Sequence, residues 1–245
     1  MSKTVTKVKP YEYNEKSRRH KIDGKPAPSV TQILGILDKP GLSWWGWKIA
    51  CDGLAEAQSL GMGVPDDGRE MQNMLKEMQF TPSRSLSSAG DRGSIVHNAA
   101  EDWAKSGEVP NPRNFTKEHR GYIQALAKWI SDDEPQFLET EVVIASRKHG
   151  FVGKFDFLAQ IGDHKVIGDY KTSKSIYKEA HLQLAAYKLA SDEMGRDPVD
   201  NLIVIRLGED GEYELAESKA TGKDFLAVKS AFDAVKALEK AVKKS

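Results

Sequence analysis

Three stretches rich in Val, Ile and Phe, at residues 139–145, 152–160 and 165–172, are separated by the polar segments 147–150 and 162–163, each of which contains glycine. Apolar runs of that length with turn residues between them predict three consecutive strands joined by hairpins. Ahead of them the period is helical. Val96, Ala99, Ala100 and Trp103 line one side of residues 95–106, and Tyr122, Ile123, Leu126 and Ile130 line one side of residues 117–131. After the strands the helical period returns over residues 176–194, closed by Gly195 and Pro198. Residues 201–207 and 213–216 then read as a strand pair around the 208–211 turn, and Phe225, Val228, Phe232, Val235, Leu238 and Val242 recur at spacings of three and four along a closing helix, 222–242. The resulting order is helix, three strands, helix, two strands, helix. It predicts an α/β fold with a mixed central sheet flanked by helices.

The chain before this region is patterned differently. Ser29 followed by Gln32 marks a capped short helix, ended by Lys39-Pro40-Gly41, and a second helix is expected over residues 44–60. Gly61, Gly63, Pro65 and Gly68 interrupt the pattern, residues 70–79 are helical, 82–88 read as a loop and 90–94 as a turn. Residues 1–88 are therefore expected to be a helical, irregular elaboration on a core formed by residues 89–245. No internal repeat is visible.

With 39% hydrophobic and 29% charged residues, the 245-residue chain has an ordinary globular composition. No stretch approaches the roughly 20 apolar residues of a membrane span, and the first residues lack a signal peptide's apolar run, so a cytoplasmic location away from membranes is expected. The single cysteine, Cys51, excludes an intrachain disulfide and a four-cysteine metal site, leaving oxygen and histidine ligands for any metal. The net charge is zero, yet residues 1–48 hold ten Lys or Arg against four acids, a local +6. A solvated face or a contact for a polyanion both fit that bias.

The chemistry concentrates around Gly153-Lys154-Phe155-Asp156 and Asp169-Tyr170-Lys171. If the two strands pair as a hairpin, Asp156 and Asp169 fall at neighbouring positions, close enough to share a divalent cation. Asp169 and Lys171 project to the same side because strand side chains alternate. Two adjacent carboxylates repel unless a metal or proton lies between them, and a neighbouring lysine restrains a water or phosphate oxygen, an arrangement suited to metal-assisted phosphodiester hydrolysis. Taken alone, Asp-x-Lys is an ordinary strand salt bridge, His97 in the first turn of a helix is a surface or capping residue, and Gln183 with Tyr187 at i and i+4 is a surface pair.

Taken in order, His97, Glu141, Asp156, Asp169-x-Lys171 and Gln183-x-x-x-Tyr187 resemble the signature of the RecB-like branch of the PD-(D/E)XK nucleases, across residues 90–190. The resemblance implies that His97, Asp156, Asp169 and the backbone carbonyl of Tyr170 bind Mg²⁺ or Mn²⁺. It further implies that Lys171 orients or activates the attacking water, that Glu141 is a ligand or a support in the catalytic set, and that Gln183 and Tyr187 contact DNA or brace the site. Arg92 joins them as a substrate contact. Members with an iron–sulfur cluster use four cysteines, so the resemblance is to members without one. Residues 28–34 and the Trp44-Trp45-Gly46-Trp47 run look like the start of stand-alone bacteriophage nucleases. The tryptophans would either stack on bases or fill a core.

The sequence thus leads to a Mg²⁺- or Mn²⁺-dependent DNA exonuclease that acts on single- or double-stranded DNA with a free end. Its residues 1–88 would cover the site and contact DNA. A phage recombination or DNA-processing system is implied, with a recombination or single-strand-binding protein as partner and the bacterial host cytoplasm as location. An endonuclease of the same fold and a non-catalytic DNA-binding module are the alternatives. No G-x-x-x-x-G-K-[ST] loop is present, so no ATPase is expected in the chain.

Overall fold

The computed structural model describes residues 11–14 and 19–243; Arg18, one of the basic residues of the +6 segment, lies outside them. By its internal packing the chain divides into two compact units, one made of the residues up to Leu37 with those from Val96 onward, the other Asp38–Ile95.

The larger unit is built on a five-stranded sheet in the order β4 (Gln136–Ser146), β5 (Phe151–Ile161), β6 (His164–Lys171), β7 (Asn201–Leu207), β8 (Tyr213–Glu217). Neighbours are antiparallel except β6 and β7, which are parallel and joined by the crossover helix α6 (Lys178–Glu193). One face of the sheet buries Phe155, Ile167, Leu202 and Val204 beneath α6, α7 (Gly222–Val242) and the short α1 (Val30–Leu34). The opposite face buries Phe157, Val166, Tyr170 and Ile205 beneath α5 (Lys117–Asp133) and the residues from Val96 onward in α4 (Pro82–Ser106). This is the mixed sheet between helices that the hydrophobic pattern predicted.

Local chemistry explains several boundaries. Ser29 and Gln32 form a reciprocal capping box at the start of α1, and Thr221 with Asp224 does the same for α7. Two expectations are corrected. Residues 82–94 are not a loop and turn but the first half of α4: Thr81 Oγ1 accepts from the Arg84 N–H at 3.3 Å, Pro82 opens the first turn, and Gly90 lies within the helix. A glycine in a helix costs only about 1 kcal/mol, which the burial of Val96, Ala99, Ala100 and Trp103 further along outweighs. Nor are residues 1–88 helical throughout. Tyr11–Asn14 (β1), Arg19–Ile22 (β2) and Lys25–Ala27 (β3) form a small antiparallel sheet, turned at Asp23-Gly24, where both residues have positive φ. Ile22 packs there against Ala145 and Val152.

The smaller unit consists of α2 (Pro40–Ser59), α3 (Gly68–Glu77) and the first half of α4. The helices match the expected 44–60 and 70–79, and Asp67 caps α3 through the N–H groups of Arg69 and Glu70. Trp44 and Trp47 are exposed on α2, at 79% and 72%, and Trp45 is half-buried, so Trp44 and Trp47 are not core fillers.

Candidate metal centre

The centre forms where the β5–β6 ladder ends. Regular pairing runs from Ile161–His164 to Phe157–Gly168 and stops one position short of Asp156 and Asp169. Gly168 permits this last pair, because a Cβ there would lie 1.9 Å from the Phe157 ring. Beyond it the Asp156 side chain takes over from the backbone, accepting the Tyr170 N–H at 2.7 Å. The neighbouring strand is irregular at the same level. Thr140 pairs with Phe157 and Val142 with Phe155, while Glu141, facing Asp156 between them, adopts a left-handed backbone with φ 55°. That conformation is uncommon outside glycine and concentrates at functional sites. The paired strand β5 changes phase at the same level: Phe155 faces the α6 layer and Phe157 the α5 layer, although two residues apart on one strand would normally share a face.

This geometry gathers groups from both layers. His97, on α4, places Nδ1 3.2 Å from Asp156 Oδ1, and ligand atoms of His97, Glu141 and Asp156 lie within 4.8 Å of one another. One imidazole and two carboxylates form a donor set that suits a divalent cation. Ala100, Glu101, Phe137, Thr140, Phe157 and Tyr170 complete the surrounding wall. Asp169 is not in this trio. It is buried on the α6 side and ion-paired with Lys171. The Lys171 ammonium also donates to Gln183 Oε1 at 3.0 Å, and Gln183 Nε2 donates to the Tyr187 hydroxyl at 2.6 Å. The Tyr187 ring fits against the strand because residue 153 is glycine; a Cβ there would lie 2.7 Å from it. Arg92 lies in the smaller unit on α4, and the three tryptophans on α2.

The electrostatics follow the burial. Asp169 is pushed from its ordinary 3.8 up to about 6 by burial, and the Asp156 charge adds to this while Lys171 opposes it. Burial pulls His97 down, but its hydrogen bond and charge contact with Asp156 win, leaving it raised. Lys171 is likewise raised, burial being overcome by Asp169 and Asp156. Burial pushes the Tyr170 and Tyr187 hydroxyls well above their usual range, so both stay protonated.

Two residues of the Gly153-Lys154-Phe155-Asp156 stretch had no role assigned from the pattern. Lys154 is ion-paired with Glu141, a partner that strand register implies, since Lys154 pairs with Val143 and Glu141 is its diagonal neighbour. The second is Gly153, whose role shows only once Tyr187 is seen against it.

A family model described as the PD-(D/E)XK nuclease superfamily matches residues 70–243. Among solved structures, the crystal structure of SSO0001 is similar at 14% identity, covering 77% of this chain and 84% of its own, with a TM-score of 0.38. An alkaline exonuclease from Laribacter hongkongensis is similar at 16% identity, covering 49% of this chain and 69% of its own, with a TM-score of 0.33. At these scores neither likeness bears on function. No curated protein matches the chain.

Proposed function

The chain belongs to the PD-(D/E)XK nuclease superfamily, and from that premise we propose that it is a Mg²⁺- or Mn²⁺-dependent deoxyribonuclease of RecB-like type, working as an exonuclease from a free DNA end. The observation that carries this reading is the meeting of His97, Glu141 and Asp156 beside the Asp169–Lys171 pair.

In this reading His97, Asp156 and Asp169, with the Tyr170 carbonyl, would hold the metal, and Glu141 would be a ligand or a support. A divalent cation at such a place supplies charge neutralisation at phosphorus and a more acidic water. The protein's own groups do the rest. Lys171, positively charged and tethered between Asp169 and Gln183, restrains the attacking water or a non-bridging phosphate oxygen. Gln183 and Tyr187 hold that ammonium in place and line the path of the strand. The Asp156 carboxylate is oriented by the Tyr170 N–H.

Dependence on a DNA end is proposed from the smaller unit, whose exposed Trp44 and Trp47 offer stacking platforms for bases, and from the local +6 of residues 1–48, which would meet phosphate through Arg19 and nearby lysines. Arg92 would add a contact to the strand. A role in phage recombination or DNA processing, beside a single-strand-binding or recombination protein, fits an end-dependent nuclease with no ATPase loop of its own. The experiment is digestion of end-labelled linear and covalently closed circular DNA, single- and double-stranded, with Mg²⁺ or Mn²⁺. Loss of label from linear DNA alone supports the exonuclease; equal rates on circles replace it with an endonuclease; no cleavage of any substrate leaves a binding module.

A further inference from the structure

Glu141 is held differently from the other members of the trio. Asp156 is buried and anchored on two sides, by His97 and by the Tyr170 N–H. Glu141 is partly exposed, sits on a left-handed backbone, and has its carboxylate against the Lys154 ammonium. Lys154 itself stands two residues before Asp156 with its side chain 52% exposed, so the ammonium reaches solvent at the rim of the centre. Its situation contrasts with that of Lys171. Lys171 has a second tether in Gln183, whereas among the described residues the ion pair of Lys154 is with Glu141.

We propose that Lys154 is a built-in counter-ion of Glu141 that a divalent cation displaces, and that the released ammonium then binds a phosphate of the nucleic-acid strand. The inference rests on the metal site proposed above and takes Glu141, which stands with His97 and Asp156, as one of its ligands. The exchange follows from charge. A carboxylate neutralised by an adjacent dication no longer attracts a second cation, and the ammonium, now beside like charge, moves toward the nearest anion. In a nuclease that anion is the substrate backbone. The lysine side chain is long and flexible enough to make the move without disturbing the strand. Lys154 thereby ties substrate affinity to metal occupancy: without metal it is engaged by Glu141 and makes little phosphate contact.

Two measurements on the full chain test this, with Lys154→Met to remove the charge and Lys154→Arg to keep it. In calorimetric titration with Mn²⁺ and no DNA, Lys154→Met should bind the metal roughly two- to fivefold more tightly than the wild type, the size expected for loss of one exposed competing ion pair. In fluorescence anisotropy with a linear oligonucleotide and Ca²⁺, the same variant should bind DNA more weakly. The slope of its log affinity against log salt should be smaller by about 1. Lys154→Arg should follow the wild type in both. Unchanged or weaker Mn²⁺ binding by Lys154→Met, or an unchanged DNA salt slope, overturns the exchange. A wild type that binds no Mn²⁺ at all overturns the metal reading, and this inference with it.

Discussion

Replacing Asp169 by Asn tests the electrostatics of the centre without reference to catalysis. The Asp169 side chain is 3% exposed, and its carboxyl is raised from 3.8 to about 6, mainly by burial. An acid raised on folding binds a proton more readily in the folded state. Its contribution to stability is therefore full below the unfolded value and is lost as pH rises through the folded one. A shift of about two units at about 1.4 kcal/mol each amounts to roughly 3 kcal/mol. Urea unfolding of metal-free wild type and Asp169→Asn, from about pH 4 to 8 in chelator, should show this as a difference curve. Wild-type stability minus variant stability should fall by about 3 kcal/mol between about pH 4 and 7 and then level off. His97 is also raised, but Asp156 rather than Asp169 dominates the upward pull, so most of its effect cancels in the difference. Added Mn²⁺ should stabilise the wild type more at pH 8 than at pH 5.5, because metal and proton compete for the same carboxylates. A difference curve that is flat, or that climbs with pH, would refute the assignment of Asp169 as a buried, reluctantly ionised acid.

The other expectations are more direct. Asp156→Ala and Lys171→Ala should each abolish cleavage while retaining the far-ultraviolet circular dichroism of the wild type, and near-normal turnover in Lys171→Ala would remove it from the mechanism. Gly153→Ala, whose Cβ would lie 2.7 Å from Tyr187 and 2.8 Å from Ile144, should cost about 1–3 kcal/mol in thermal unfolding and lower kcat by loosening Gln183 and Lys171. Trp44→Ala and Trp47→Ala should leave the melting temperature unchanged, since both rings are exposed, and raise KM on linear DNA; a drop of several degrees would mean that they pack. Mg²⁺ and Mn²⁺ should support cleavage, Ca²⁺ should bind without turnover, and excess chelator should stop the reaction.

What could be read from residues alone followed the strength of the local signal. The strands carrying Asp156, Asp169 and Lys171 were legible because Val, Ile and Phe concentrate there between glycine-bearing turns, and alternation put Asp169 and Lys171 on one side. The Gln183–Tyr187 pair was legible from helical spacing, though not its link to Lys171, which is tertiary. The change of strand phase at Glu141 and Asp156 had no periodic signature, because it is a backbone irregularity matched across two strands. The same irregularity lets Asp156 meet both His97 and Tyr170, while Asp169, expected beside it in the ligand set, turns to Lys171. The hairpin at Asp23-Gly24 did have a signal, the Asp-Gly turn pair, but Pro26 in the following strand and the polar residues around it masked the alternation. Residues 82–94 carry a loop-like local pattern because serine and glycine disfavour helix, whereas the helix is set by the apolar positions further along it.

The position of the centre at the end of the β5–β6 ladder makes it depend on parts of the chain that are far apart in sequence. His97 comes from one helical layer and Gln183 from the other, while Phe225 and Phe232 of the last helix seal the layer that holds Gln183. A nascent chain that has emerged only as far as β6 possesses every acidic residue of the centre but lacks the helix that tethers Lys171 and the one that closes over it. The acids alone therefore do not make the arrangement: until the helix after β6 is in place, Lys171 has Asp169 as a partner but not Gln183.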